Sequence, residues 1–258
     1  MRNRRRTETL VALGLLALAS AALQTQALAA PEEPPPDASA PATELPQSPQ
    51  ADLLTALRSK VPIEPIEVRA DPYLTGQGTE LPAGAVCGIR FQSDQIHYRL
   101  STFANADAAR AAGAAVTHFG VCGTCSTLQD LAVYLEKPDL TDPVRHCAIG
   151  SRESATLTCL EALGFSNACA QTWLYDVENT RRQCFAVCVL SWIEGEASTG
   201  SDGHLNACLQ CDEDRSGPVF KAIAGRTRRN SGLHSSIPRP DDEIAPVVHD
   251  YVPKPAPQ

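Results

Sequence analysis

Apolar and polar positions alternate through two adjacent stretches, Ala85 to Phe91 and Gln95 to Phe103. The period of two predicts strands joined by a tight turn at Ser93-Asp94. In the second stretch Ile96, Tyr98 and Leu100 alternate with His97, Arg99 and Ser101. Asn105 and Asp107 then open an Ala-rich helix that stops near Gly113, and Ala114 to Phe119 reads as a third strand. Ser126, with Gln129 in the capping-box position, predicts the next helix start. Leu128, Leu131, Ala132 and Leu135 form its apolar stripe, and Pro138 closes it.

The second half of the chain has the helical period throughout. Thr141-Asp142-Pro143 starts one short helix, which Gly150 can end. Residues 152–163 form another, stopped by Gly164. Ser166 caps a long helix running toward Trp192, on which Cys169, Trp173, Val177, Cys184 and Cys188 share a broad face. Residues 195–203 read as a loop, and Ser216-Gly217-Pro218 starts a last helix ending at Gly225. The fold class is α+β: a small β-β-α-β sheet unit followed by a disulfide-stapled helical part.

The ends have a different composition. Arg2, Arg4, Arg5 and Arg6 precede an apolar run from Leu10 to Leu23, and Ala27-Leu28-Ala29 is a small-x-small cleavage site. Residues 1–29 therefore read as a secretory signal peptide, and an exported protein, periplasmic or extracellular, is expected. Residues 30–50 carry seven prolines and read as a disordered linker. A second Pro-rich stretch, 238–258, reads as a C-terminal tail, so the cysteine-rich globular domain is placed at 51–237.

The chain has 22 Lys and Arg against 30 Asp and Glu. Cleavage after Ala29 removes four Arg and one Glu, leaving a net charge of −11. That balance argues against nucleic-acid binding. No second apolar run is long enough to span a bilayer, so no membrane span is expected in the mature chain. Ten cysteines in an exported chain point to disulfides. Near-symmetry about Gly164 suggests a Cys159–Cys169 bridge, with Cys147 pairing toward Cys184. Cys184 and Cys188 lie too far apart on one straight helix to bridge each other, so each needs an outside partner.

Thr117 to Ser126 (THFGVCGTCS) is the densest chemical segment. It sets Cys122 and Cys125 at a strand end and helix start, where exposed N–H groups favour a thiolate. His118 would carry the proton, making Cys122, Cys125 and His118 candidate catalytic residues. The motif is locally similar to the active-site C-G-x-C of thioredoxin-like oxidoreductases, which also joins a strand to a helix. That resemblance implies redox chemistry, but no Trp precedes Cys122 and the family is not assigned. The alternative reading is that both cysteines are structural.

Cys208 and Cys211 form a second C-x-x-C, which with Cys122 and Cys125 would make a four-cysteine zinc site. Otherwise no cofactor is expected. Asp212 to Gly217 resembles the opening of a calcium loop, but Ile223 stands where the bidentate Glu belongs. Arg226, Arg228 and Arg229, with Asn230, form the only basic cluster and suit an anionic group. No G-x-S-x-G, H-E-x-x-H or phosphate-loop pattern occurs. Two functions remain: a thiol enzyme holding an anionic substrate on the Arg loop, or a non-catalytic disulfide-stabilised binding module for a small anionic ligand or a partner protein.

Overall fold

The structure is a computed structural model that describes residues 49–75, 82–149 and 152–252. The expected signal peptide, the linker up to residue 48, Gly150 and residues 253–258 lie outside the described residues. Nine helices and four strands are described: α1 (Pro49–Arg58), β1 (Val61–Pro62), α2 (Pro72–Thr75), β2 (Val86–Phe91), β3 (His97–Phe103), α3 (Ala106–Ala111), β4 (Ala115–Phe119), α4 (Leu128–Glu136), α5 (Thr141–Ala148), α6 (Glu153–Ala162), α7 (Asn167–Ile193), α8 (Ala207–Arg215) and α9 (Gly217–Ala224). The α+β class and the β-β-α-β unit are as the sequence pattern predicts.

The sheet runs β1-β3-β2-β4. β2 pairs antiparallel with both β3 and β4, and two-residue β1 adds a parallel edge to β3. Asn105 caps α3 by accepting from Ala108 N–H. Thr127, not Ser126, is the N-cap of α4: its side chain accepts from Asp130 N–H and donates to the Asp130 carboxylate. The cap is displaced by one residue because Ser126 is used elsewhere, as described below.

Helix α4 is buried on two sides, which explains its nearly continuous apolar run. Leu128, Leu131 and Ala132 pack with Ile89, Tyr98, Leu54 and Leu57 against the sheet. Val133 and Tyr134 face the other way, into a helical core with Leu160, Phe165, Cys169 and Phe220. The Tyr98 hydroxyl accepts from Leu128 N–H, so the sheet also holds the helix start. Asp130 is fully buried and accepts from both the backbone N–H and the hydroxyl of Ser166, the N-cap of α7. Two helix starts are therefore tied to one carboxylate. The domain also extends past residue 237: Val252 is buried, and the Tyr251 hydroxyl meets the Thr117 hydroxyl at 3.0 Å. The stretch read as a tail packs on the sheet at least to Val252.

All ten cysteines are bridged: Cys87–Cys122, Cys125–Cys169, Cys147–Cys159, Cys184–Cys211 and Cys188–Cys208. The expected Cys159–Cys169 and Cys147–Cys184 pairs do not form. Equal spacing about Gly164 does not fix the rotation of each helix, and α7 turns Cys169 inward to Cys125. Cys159 instead closes the α5–α6 corner with Cys147. The expectation for Cys184 and Cys188 holds: both find outside partners, on α8. Among the described residues no helix is long and apolar enough to cross a membrane.

Candidate functional site

The C-x-x-C segment is a fully committed structural loop. Its backbone runs against the C-terminus of α9, where Thr124 N–H donates to Ile223 O and Cys125 N–H to Ala224 O, each at 2.9 Å. These bonds satisfy carbonyls that a helix end leaves open. A Cβ on Gly123 would fall 2.2 Å from Ile223 O, so only glycine permits the approach. Cys122 N–H donates to the Thr102 hydroxyl and Gly123 N–H to the Ser126 hydroxyl oxygen. The amides that would have stabilised a thiolate already have partners. Cys122 and Cys125 belong to different bridges, and no cysteine is free.

His118 faces Ser126 rather than a sulfur. Its Nδ1 lies 2.8 Å from Phe119 O, which can only accept, so Nδ1 carries the proton. Nε2, 2.7 Å from Ser126 Oγ, then accepts from that hydroxyl. The ring is fully buried, and burial, helped by the Arg226 charge, pushes its pKa down to about 3. His249 behaves similarly: it donates through Nε2 to Ser231 O and accepts at Nδ1 from Tyr251. Its pKa falls to about 4, chiefly by burial.

A histidine kept neutral in the fold and free to protonate when unfolded stabilises the fold fully above about pH 6.5. That contribution is lost as pH falls toward the folded pKa. Asp130, raised to about 6 by burial, acts in the opposite direction between about pH 4 and 6. His118→Gln is therefore expected to be less stable than the parent at pH 7 but to lose less on acidification. The difference in slope should approach one proton, about 1.4 kcal/mol per pH unit between pH 4 and 6. Urea titrations of both proteins across that range test it; parallel slopes would show that His118 is not the group involved.

The Arg cluster divides into three roles. Arg226 is completely buried, and its five N–H groups go to Cys125 O, Thr117 O, Thr117 Oγ1, Ser126 O and Ser231 Oγ. It has no donor left for a ligand. Arg229 pairs with Glu243 at 2.8 Å on the surface. Asn230 bonds Gly225 O and Thr227 N–H within its own turn and Phe119 O at the end of β4. Arg228 alone of the cluster keeps a buried N–H without an acceptor. Its Nη1 donates to Tyr134 O at 2.7 Å, its guanidinium lies 5.5 Å from the Tyr134 ring centre, and Nη2 has no acceptor. No carboxylate of the described residues lies within ion-pair distance of it.

Arg228 lines a cleft of about 1190 Å³ bounded by α5, α7, α8, α9 and the segment after α9. Its inner wall is aromatic: Trp173 lies 4.6 Å from Phe220 between ring centres, and Phe165 links Trp173 to Tyr134 at 6.0 Å each. Burial raises the Tyr134 pKa, and the charges of Arg226 and Arg228 partly offset this. Neither the Tyr134 hydroxyl nor the Trp173 N–H forms a hydrogen bond of good geometry. Four other cations of the cleft are paired, Arg145 with Asp142, Arg181 with Glu178, Lys221 with Glu213 and Arg229 with Glu243, while Arg239 of the lining has no ion pair among the described residues. Asp176, buried on the cleft wall, accepts from the Tyr73 hydroxyl, and burial beside Asp212 raises its pKa well above the usual carboxylate range.

The structure does not gather the four cysteines named for zinc; they lie in four different bridges. Among the described residues no group of three or more His, Cys, Asp or Glu is placed to hold a metal ion. The calcium-loop reading also fails locally. Asp212 to Arg215 are helical in α8, and the Asp212 carboxylate accepts from Thr180. The cleft itself was not visible in the sequence, since its walls come from five separated segments. Of the residues that the sequence suggests for an anionic group, Arg228 and Arg229 line it.

A model of a family of unknown function, DUF8771, matches residues 153–247, from α6 through the segment after α9. The match leaves the sheet outside it and contains α7, α8 and Arg228. No curated protein and no solved structure matches the chain.

Proposed function

We propose that this is an exported, non-catalytic binding protein whose disulfide-stabilised cleft holds a ligand with an acidic head on Arg228 and an apolar body on the aromatic wall. Five bridges suit an oxidising compartment, in keeping with the signal-like N-terminus of the sequence. The observation that carries the reading is the state of Arg228. It is the one member of its cluster with a buried N–H lacking an acceptor and no carboxylate within ion-pair distance, and it lines the cleft. A guanidinium with an unpaired N–H in that setting favours an acidic partner. The thiol-enzyme reading lacks a thiol to act with, since every sulfur is bridged.

The test uses two dyes of similar shape. Anilinonaphthalene sulfonate carries an anionic group, and phenylnaphthylamine is its uncharged counterpart. Arg228→Met is expected to weaken the sulfonate by roughly 10- to 100-fold, the worth of a charge-assisted hydrogen bond. Binding of the neutral dye should change little, and near-ultraviolet circular dichroism of the variant checks the fold. Equal sulfonate affinity in both proteins would overturn the proposal.

A further inference from the structure

The cleft runs along α7 from the aromatic wall beside Arg228 to a bare apolar stretch of the helix. From Trp173 to Trp192 it follows α7 for nineteen residues, about 28 Å at 1.5 Å per residue. Residues 183–193 (QCFAVCVLSWI) contain no charge. On the cleft side Phe185, Val189 and Trp192 recur at helical spacing, and Phe185 and Trp192 are 63% and 67% exposed. A bare apolar stripe of this kind marks a surface that something covers. The arm beneath it is held by the Cys184–Cys211 and Cys188–Cys208 rungs, so the stripe cannot readily fold back onto the domain.

Resting on the reading of Arg228 as the head-group anchor, we propose that the ligand is a single-chain amphiphile, a long aliphatic chain ending in a carboxylate. Its head lies at Arg228 and its tail runs along α7 past Phe185 and Val189 to Trp192. The polar groups midway along the cleft leave the tail undisturbed because they are already paired. Asp212 accepts from Thr180, Glu213 holds Lys221, and Asp176 accepts from Tyr73. The raised pKa of Asp176 further keeps charge out of the path. An extended peptide fits the same groove less well. The walls are helices and coil with no sheet strand, so a peptide backbone would be buried with its N–H and C=O groups unpaired. An alkyl chain has no such groups.

The chain has two tryptophans, and they stand at the two ends of the proposed path. Octanoate, dodecanoate and hexadecanoate, each below its micellar concentration, would compete with anilinonaphthalene sulfonate on the full protein. Affinity is expected to rise with length by up to about fourfold per methylene. In Phe185→Ser/Val189→Ser the rise should flatten while octanoate binds as before. Hexadecanoate brominated at its far end should quench Trp192, and acid brominated beside the carboxylate should quench Trp173; Trp192→Phe separates the two signals. An affinity independent of chain length, with the sulfonate still dependent on Arg228, overturns the chain assignment and leaves the head site standing. A sulfonate affinity indifferent to Arg228 removes the anchor itself, and with it both proposals.

Discussion

Arg226→Met is expected to leave the chain without a cooperative fold at room temperature. The guanidinium sits where β4, the C-x-x-C loop and the turn after α9 meet, and all five of its N–H groups are bonded. Removing it orphans three buried carbonyl oxygens, those of Thr117, Cys125 and Ser126. Each costs about 1–3 kcal/mol, and the lost packing adds to this. The sum exceeds about 5 kcal/mol, the lower end of total domain stability. Arg226→Lys should fare little better, because an ammonium has three donors and no planar fork. Arg229→Ala supplies the contrast. Its ion pair with Glu243 is roughly 40% exposed, so the loss should stay below about 1 kcal/mol. Thermal melts and one-dimensional proton spectra of the three variants decide the matter. An Arg226→Met protein melting within a few degrees of the parent would contradict the account.

The contrast between Arg226 and Arg229 shows where sequence reading reached its limit. Three arginines within four positions look alike as a string. Their roles separate only when β4 and the loop close over the first, the Glu243 turn reaches the third, and a cleft opens at the second. Local signals fared better because their physics is local. The Ser93-Asp94 turn, the Asn105 and Ser166 caps, Pro at the start of α5 and α9, and Gly164 after α6 all appear where the pattern places them. Helix α8 was passed over because its sequence, ACLQCDEDR, has little apolar character of its own. It is held to α7 by two bridges. The signal for them was present: Cys184 and Cys188 are one turn apart on α7, and Cys208 and Cys211 nearly one turn apart on α8. Two such one-faced pairs match rung to rung only in an antiparallel hairpin. Reading the second pair as half of a zinc site hid that match.

The Cys125–Cys169 bridge is expected to contribute the most of the five. Both sulfurs are fully buried, and the bridge ties the loop before α4 to the first turn of α7 across 44 residues. Closing a loop of that length in the unfolded chain removes entropy worth about 4 kcal/mol. Cys147–Cys159 spans only 12 residues and should contribute about 3 kcal/mol by the same relation. Cys125→Ala/Cys169→Ala also leaves a gap in the helical core beside Val133 and Leu174, which adds to its loss. The double variant should therefore be destabilised by more than about 4 kcal/mol, and clearly more than Cys147→Ala/Cys159→Ala. Cys122→Ser should destabilise as well, because it breaks the 35-residue Cys87–Cys122 closure and leaves Cys87 unpaired. Denaturant titrations of these variants give the ranking, and titration of thiols in the unreduced parent should find none. A Cys125→Ala/Cys169→Ala protein as stable as the parent, together with a titratable pair at Cys122 and Cys125, would return the loop to redox chemistry.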